Sequence, residues 1–363
     1  MDLQQRGREP DRARTDETIR LARASGRRSG THVATRSPVA VGAAVVGIAA
    51  LFSLLATGCG VAAFTPIPGV TGCNITPANA FWRADVRSLA VKSQSATYIA
   101  TAGATKGLKA DFGAGLYQGQ PIGIPYDVVP GNQPKVTVTF DYDEDSDHVG
   151  YPIPANPHVE GGPTATGDRH ILMVDKDNCR LYELFDAHPG PSGWGSGVSA
   201  GSGATWDMRA NTMRQSTYTS ADAAGLQILP GLVRYEEVAS GKVQHAIRMT
   251  VPSTQGTFVW PASHKAGSSG TSTMPMGTWL RLKASVDENA FDPAVRPIVV
   301  ALKTYGGVIA DNGSAWYMSG VPDDRWNNDL LQTLGRIKGS DFEVVEASSE
   351  KVADNSYQGR TAQ

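Results

Sequence analysis

Apolar positions along this chain form one long unbroken run and then many short periodic ones. The long run covers residues 39–57 (VAVGAAVVGIAALFSLLAT). Beyond residue 81 the pattern is strand-like more often than helical. KVTVTF at 135–140 alternates apolar and polar positions with β-branched residues, which predicts a half-buried strand. HILMVD at 170–175 and CRLYELF at 179–185 predict two more, joined as a hairpin across Lys176-Asp177-Asn178. Residues 186–204 are rich in Gly, Ser and Pro and read as an exposed loop.

Helix punctuation gathers in the second half. Ser220 stands where it would cap a short helix over 220–224. A second helix is expected from Pro230 to Gly241, where Gly suits a left-handed cap. Segments 243–251, 257–260 and 278–286 predict strands. Val295, Ile298, Val299 and Leu302 recur at helical spacing between Asp292-Pro293 and Gly306-Gly307, with Pro297 kinking that helix or delaying its start. Trp326, Leu330, Leu334 and Ile337 form another helical stripe. Strands at 307–310, 315–321 and 342–345 complete the pattern, and residues 347–363 read as a disordered tail. Strands outnumber helices, and the helices come late. The expected class is α+β and β-rich: a single extracytoplasmic domain over residues 81–346, built on a mainly antiparallel sheet or barrel with two or three late helices.

Charge changes the picture at the amino terminus. The formal net charge is only −2, yet residues 1–38 hold nine Arg against five acidic residues, and residues 37–81 hold no charge at all. An Arg-rich leader before an apolar run long enough to cross a bilayer is an export address. It predicts a basic cytoplasmic or signal n-region at 1–38 and a transmembrane or lipoprotein signal helix at 39–58. A linker at 59–80 follows. Ala56-Thr57-Gly58-Cys59 resembles a bacterial lipobox, with Ala56 where Leu is usual, and implies lipidation at Cys59. The membrane is thus an expected partner, through this segment. The remainder has 24 basic and 30 acidic residues, which argues against a nucleic-acid partner. With Cys59 set aside, Cys73 and Cys179 are the pair left to form one disulfide in an oxidising compartment.

Three strings, GDRHILMVDKDNCRLYELFDA, TSADAAGLQILPGLVRYEEVASGKVQHAIRMTV and ALKTYGGVIADNGSAWYMSG, resemble a group of secreted or membrane-anchored proteins of high-GC bacteria. The resemblance spans nearly the whole folded part. It implies export and carries no activity.

Candidate chemistry is densest between residues 168 and 248. Asp168, His170, Glu183, Asp207, Arg209 and His245 are expected to face one cleft, with a working carboxylate pair drawn from Asp168, Glu183, Asp207 and Asp222. His245 also lies on the apolar strand face of Ile247, Met249 and Val251, where a satisfied core histidine is common. Trp206, Asp222 and Trp316 are the expected ligand contacts, and Trp82, Trp194 and Trp326 are further candidate platforms for sugar rings. Gly197-Val198-Ser199-Ala200-Gly201 matches a nucleophile elbow in letters only, because Gly/Ser loop flanks it where a strand and a helix are required. Asp141, Asp143, Asp145 and Asp147 alternate like half a calcium loop, but Ser146 replaces the required Gly and Pro152 the closing Glu. No HExxH or CxxC occurs, so neither a metal centre nor a cofactor is expected. The functional expectation is an enzyme acting on an envelope or extracellular polysaccharide through a carboxylate/His cleft. A non-catalytic glycan-binding or structural module of the envelope is the alternative.

Overall fold

The computed structural model describes residues 65–362. The apolar run at 39–57 and Cys59, the expected lipidation site, lie outside the described residues. Among those described, no helix is long and apolar enough to cross a membrane.

Ten strands make up the two larger sheets: β1 (Lys109–Asp111), β2 (Tyr126–Val129), β3 (Ile171–Asp175), β4 (Arg180–Phe185), β5 (Ser202–Asp207), β6 (Ile247–Val251), β7 (Trp279–Leu282), β8 (Gly307–Asn312), β9 (Tyr317–Ser319) and β10 (Phe342–Val344). Among the described residues four α-helices accompany them: α1 (Ser95–Gly103), α2 (Tyr235–Ala239), α3 (Arg296–Thr304) and α4 (Asn328–Gln332). One sheet has the order β1-β9-β6-β8-β7-β10 and the other β2-β3-β4-β5.

The β-rich α+β class is what the structure shows, but the pairing is mixed. β3, β4 and β5 run antiparallel, with β3–β4 the expected hairpin. β2 lies parallel to β3, β6 parallel to β8, and β1 parallel to β9. Of the eight neighbouring pairs in the two sheets, the other five are antiparallel, so the sheets are mainly antiparallel as expected, and no closed barrel forms among the described residues. The parallel pairs come from the connections: β6 reaches its parallel neighbour β8 only after β7 and α3 have been crossed, a path hairpin patterns do not announce.

Strand β3 reads as a continuous apolar run because both of its faces are covered. Leu172 and Val174, with Leu181, Ala204 and Trp206, face the main core shared with the six-stranded sheet. Ile171 and Met173, with Tyr182 and Leu184, face a second core. That core is closed by Val138 and Val198 of a two-stranded parallel pair, Val138–Phe140 with Val198–Ala200. Residues 186–204 are therefore only partly loop, since two strands begin within them and Ala200, Ser202 and Gly203 are buried.

Other expectations shift for identifiable reasons. The 220–224 helix is a turn, because the Ser220 hydroxyl accepts the Asp222 N–H at 2.9 Å and donates to the Leu226 carbonyl at 2.7 Å. The helix expected to start at Pro230 starts at Tyr235, after a single 3-10 turn at Leu229–Gly231. Pro297 sits within the first turn of α3, where its missing N–H costs nothing. Helix α1 has no clear apolar stripe and was legible only once its Tyr98, Ile99 and Ala102 were packed.

Both chain ends of the domain are docked. Ile67, Val70 and Ile75 are buried, so the segment read as linker packs well before residue 81. The segment read as a disordered tail is pinned by Tyr357, 1% exposed, whose hydroxyl donates to the Gly225 carbonyl at 2.9 Å. Cys73 and Cys179 form the expected disulfide, with Cα atoms 5.5 Å apart and a separation of 106 positions in sequence. It ties the first docked segment to the turn before β4.

Candidate functional site

The six residues expected to share a cleft divide among three places. Asp207 and Arg209 pair with each other at the exposed end of β5, at 2.9 Å and 3.1 Å. His245 belongs to a separate buried group: its Nε2 lies 3.2 Å from Glu237, which also takes Arg234 at 2.7 Å, and its Nδ1 faces the Ala246 carbonyl. Burial opposes the charge of Glu237, but His245 and Arg234 more than offset it and hold the carboxyl down at about 2. That group fastens α2 to the chain entering β6, which is a structural task. Only Asp168, His170 and Glu183 remain near one another.

Around those three the fold assembles a larger cluster. Arg248 projects from β6 with its Nε donating to Asp222 at 2.7 Å, Nη1 to the Ser319 hydroxyl at 2.9 Å, and Nη2 to Asp311 at 3.0 Å. Asp311 reaches this side because of a one-residue irregularity between β6 and β8: Met249 pairs with Ile309, but Thr250 pairs with Asp311, skipping Ala310. Without that bulge the alternation would place Ala310 beside Arg248 and turn Asp311 away. Asp222 arrives from the 219–225 turn, where Gly225 takes a φ of +72°.

His170, the residue before β3, has its Nδ1 2.6 Å from Glu160 and its Nε2 3.0 Å from the Ala221 carbonyl. Both ring nitrogens thus face acceptors, and only the imidazolium satisfies both. Burial opposes that charge, yet the Glu160 carboxylate outweighs it and raises His170 to about 9. Glu183, on the core-facing side of β4, accepts the N–H groups of Ile228 and Leu229 at 2.9–3.0 Å. Burial pushes its carboxyl up to about 8 against the pull of those donors. Burial likewise raises Asp222 against Arg248, while Asp222 and Asp311 keep Arg248 firmly cationic.

The cluster meets solvent at one edge. Glu160 and Asp311 each keep about a quarter of their side chains exposed, and Asp168 is exposed. Atoms of Glu160, Asp168 and His170 all lie within 4.8 Å of one another. Such spacing is compatible with a cation, although His170 has already committed both ring nitrogens to acceptors. Burial, with help from Asp222 and Asp168 and against Arg248, raises Asp311 to about 6. Carboxyls with separated proton affinities therefore share one rim.

The expected aromatic contacts fare unequally. Trp316 is fully buried and stacks on Phe342 at 5.5 Å, its Nε1 donating to the Gly103 carbonyl, so it offers no face to a ligand. Trp82 and Trp326 are core residues as well. Asp222 is sealed beneath Arg248, and Trp206, 5% exposed, packs into the main core. Ser199 lies on a strand paired with Val138–Phe140, outside the cluster. In the acidic run, Asp147 spends its oxygens on Arg214 and the Thr205 N–H.

Glu160, Arg248 and Asp311 were missed as site residues. Asp311 carried a faint signal, an acid at the end of an apolar strand in IADNG; Glu160, in a Gly/Pro loop, carried none. No family model, curated protein or solved structure matches this chain.

The protonation pattern sets a pH dependence. His170 is raised from its ordinary 6.5 to about 9, so its contribution to stability is complete below about pH 6.5 and lost as pH climbs through 9. Glu183, raised from 4.5 to about 8, acts in the same direction. Denaturation midpoints should therefore fall between pH 6.5 and pH 9, and His170→Gln should flatten the upper part of that decline. A midpoint independent of pH in this window would mean the His170–Glu160 pair contributes nothing.

Proposed function

We propose that this protein is an extracytoplasmic, membrane-anchored enzyme that cleaves a glycan by acid/base chemistry at the Glu160–Asp168–Asp311 rim. The observation that carries the reading is the convergence of three solvent-touching carboxyls on two buried cations, His170 and Arg248. Asp311, protonated up to about pH 6, delivers a proton to the leaving oxygen. Asp168 takes the proton of the attacking water, while Glu160 stays engaged by His170. Carboxyl pairs split in this way are the means by which glycosidic bonds are broken. The Arg-rich leader, the apolar run and the disulfide support an address where polysaccharide is the abundant substrate. The non-catalytic alternative draws its support from the buried part of the cluster, whose members largely satisfy one another.

The test is release of reducing ends from envelope and extracellular polysaccharides by the purified chain. Asp311→Asn should slow release by about 100-fold or more, with the melting temperature little changed because Arg248 keeps Asp222. Undiminished release would remove Asp311 from the chemistry. Absence of release from every polysaccharide would leave the binding module as the answer.

A further inference from the structure

Glu160, Asp168 and His170 meet because a buried arginine closes the loop between them. Arg169, 3% exposed, donates from Nε to the Ala187 carbonyl at 2.9 Å. Its Nη1 donates to the Pro163 and Ala165 carbonyls at 3.1 Å and 2.8 Å. A guanidinium shared among three backbone acceptors fixes the chain from Glu160 to Asp168. The Glu160 N–H, donating to the His170 carbonyl at 3.0 Å, joins the two ends of that loop directly. The spacing of the three residues matches no metal motif; the loop closure alone brings them together.

His170 is held as metal-ligating histidines are held. Its Nε2 lies 3.0 Å from the Ala221 carbonyl, which can only accept, so Nε2 carries a proton and the ring orientation is set. Nδ1 is the nitrogen left to ligate, and it faces the Glu160 carboxylate at 2.6 Å. That carboxylate is itself a prospective ligand. An ion entering between them takes the place of the proton they share, which leaves to solvent. Ligand atoms on bonds of roughly 2.1 Å stand about 3 Å apart, so Glu160, a quarter exposed, need give way by less than about 1 Å. Asp168 completes the set within 4.8 Å of both and is exposed, able to turn onto the ion.

Charge favours the same occupant. Glu160, Asp168, Asp222 and Asp311 are set against the Arg248 guanidinium, whose donors are taken by Asp222, Asp311 and Ser319. A divalent cation brings such a cluster nearer to neutrality than one shared proton does. Two carboxylates and one imidazole suit Zn²⁺ better than Ca²⁺ or Mg²⁺, which prefer oxygen alone.

We propose that Glu160, Asp168 and His170 Nδ1 bind a divalent transition-metal ion, Zn²⁺ foremost, and that this ion switches the rim off. The regulatory half rests on the glycan reading above: an ion on Asp168 occupies the oxygen that receives the proton of the attacking water. The binding half stands without it.

The experiment uses the untagged full chain with its disulfide, carrying Cys59→Ser so that no free thiol competes. Calorimetry with Zn²⁺ should give a Kd of about 10 μM or below, with Ca²⁺ and Mg²⁺ at least about tenfold weaker. His170→Gln should weaken Zn²⁺ by about 100-fold and Asp168→Asn by about 10-fold. His188→Gln, which alters an exposed pair with Asp186, should change nothing. X-ray absorption should show an imidazole nitrogen on the zinc of the wild type and oxygen alone in His170→Gln. If His170→Gln does not fold, Asp168→Asn, altered at an exposed position, and the wild-type spectrum decide. A wild-type Kd above about 1 mM, an affinity unchanged in the variants, or an oxygen-only shell means an adventitious ion only and overturns the proposal. Zn²⁺ should also stop release of reducing ends, with recovery on adding EDTA; release unaltered by bound Zn²⁺ overturns the regulatory half. Zinc binding without release from any polysaccharide counts against the catalytic reading alone, and release without zinc binding counts against this one alone.

Discussion

Replacing Arg248 with alanine should lower the unfolding free energy by about 3–5 kcal/mol, the largest single-residue loss expected in this protein. The substitution leaves Asp222, 1% exposed, with no cation, and removes the donors to Ser319 and Asp311 as well. An uncompensated buried carboxylate must either take a proton or draw water into the core, and both cost stability. At roughly 2 °C per kcal/mol for a domain of this size, the melting temperature should drop by about 6–10 °C. The double variant Arg248→Met with Asp222→Leu should recover part of the loss, because it removes both charges rather than stranding one. If Arg248→Ala alone melts like the wild type, the cluster is not the tightly coupled unit its hydrogen bonds describe.

Breaking the disulfide should cost about as much by a different route. A cross-link between Cys73 and Cys179 closes a loop of more than a hundred residues and restricts the unfolded chain, an effect of about 4 kcal/mol. The folded state changes little, because Ile67, Val70 and Ile75 still have their places in the core. Two signatures should therefore appear together in Cys73→Ala/Cys179→Ala: a lower denaturant midpoint and a steeper slope, since the uncrosslinked chain exposes more surface on unfolding. Reductant should produce the same pair of changes in the wild type and neither in the variant. An identical midpoint with and without reductant would mean the bond carries no stability.

The strand pattern was legible wherever the backbone alternates or runs apolar without a break. β3, β4, β6 and β8 all lie where the sequence placed strands, and the β3–β4 turn is where Lys176-Asp177-Asn178 put it. The cysteine pair was legible by elimination. Helix α1 and the docked terminal segments were not, because short segments of small and polar residues become ordered only by what they pack against.

The candidate site divides along the same line. Local sequence determined that this is a β-rich α+β protein with one disulfide and a chemically dense stretch between residues 168 and 248. Which of those residues meet was decided by tertiary structure alone. His245 and Arg248 sit three residues apart, yet one closes onto Glu237 and the other onto Asp222 and Asp311. Glu160 meets His170 because a Gly/Pro loop doubles back just ahead of β3, and Asp311 meets Arg248 because a single bulged residue turns β8 over. Periodicity records which face of an element is apolar. The partner of a buried charge is set by long-range register and by the low-dielectric space it shares, and neither is written in neighbouring residues.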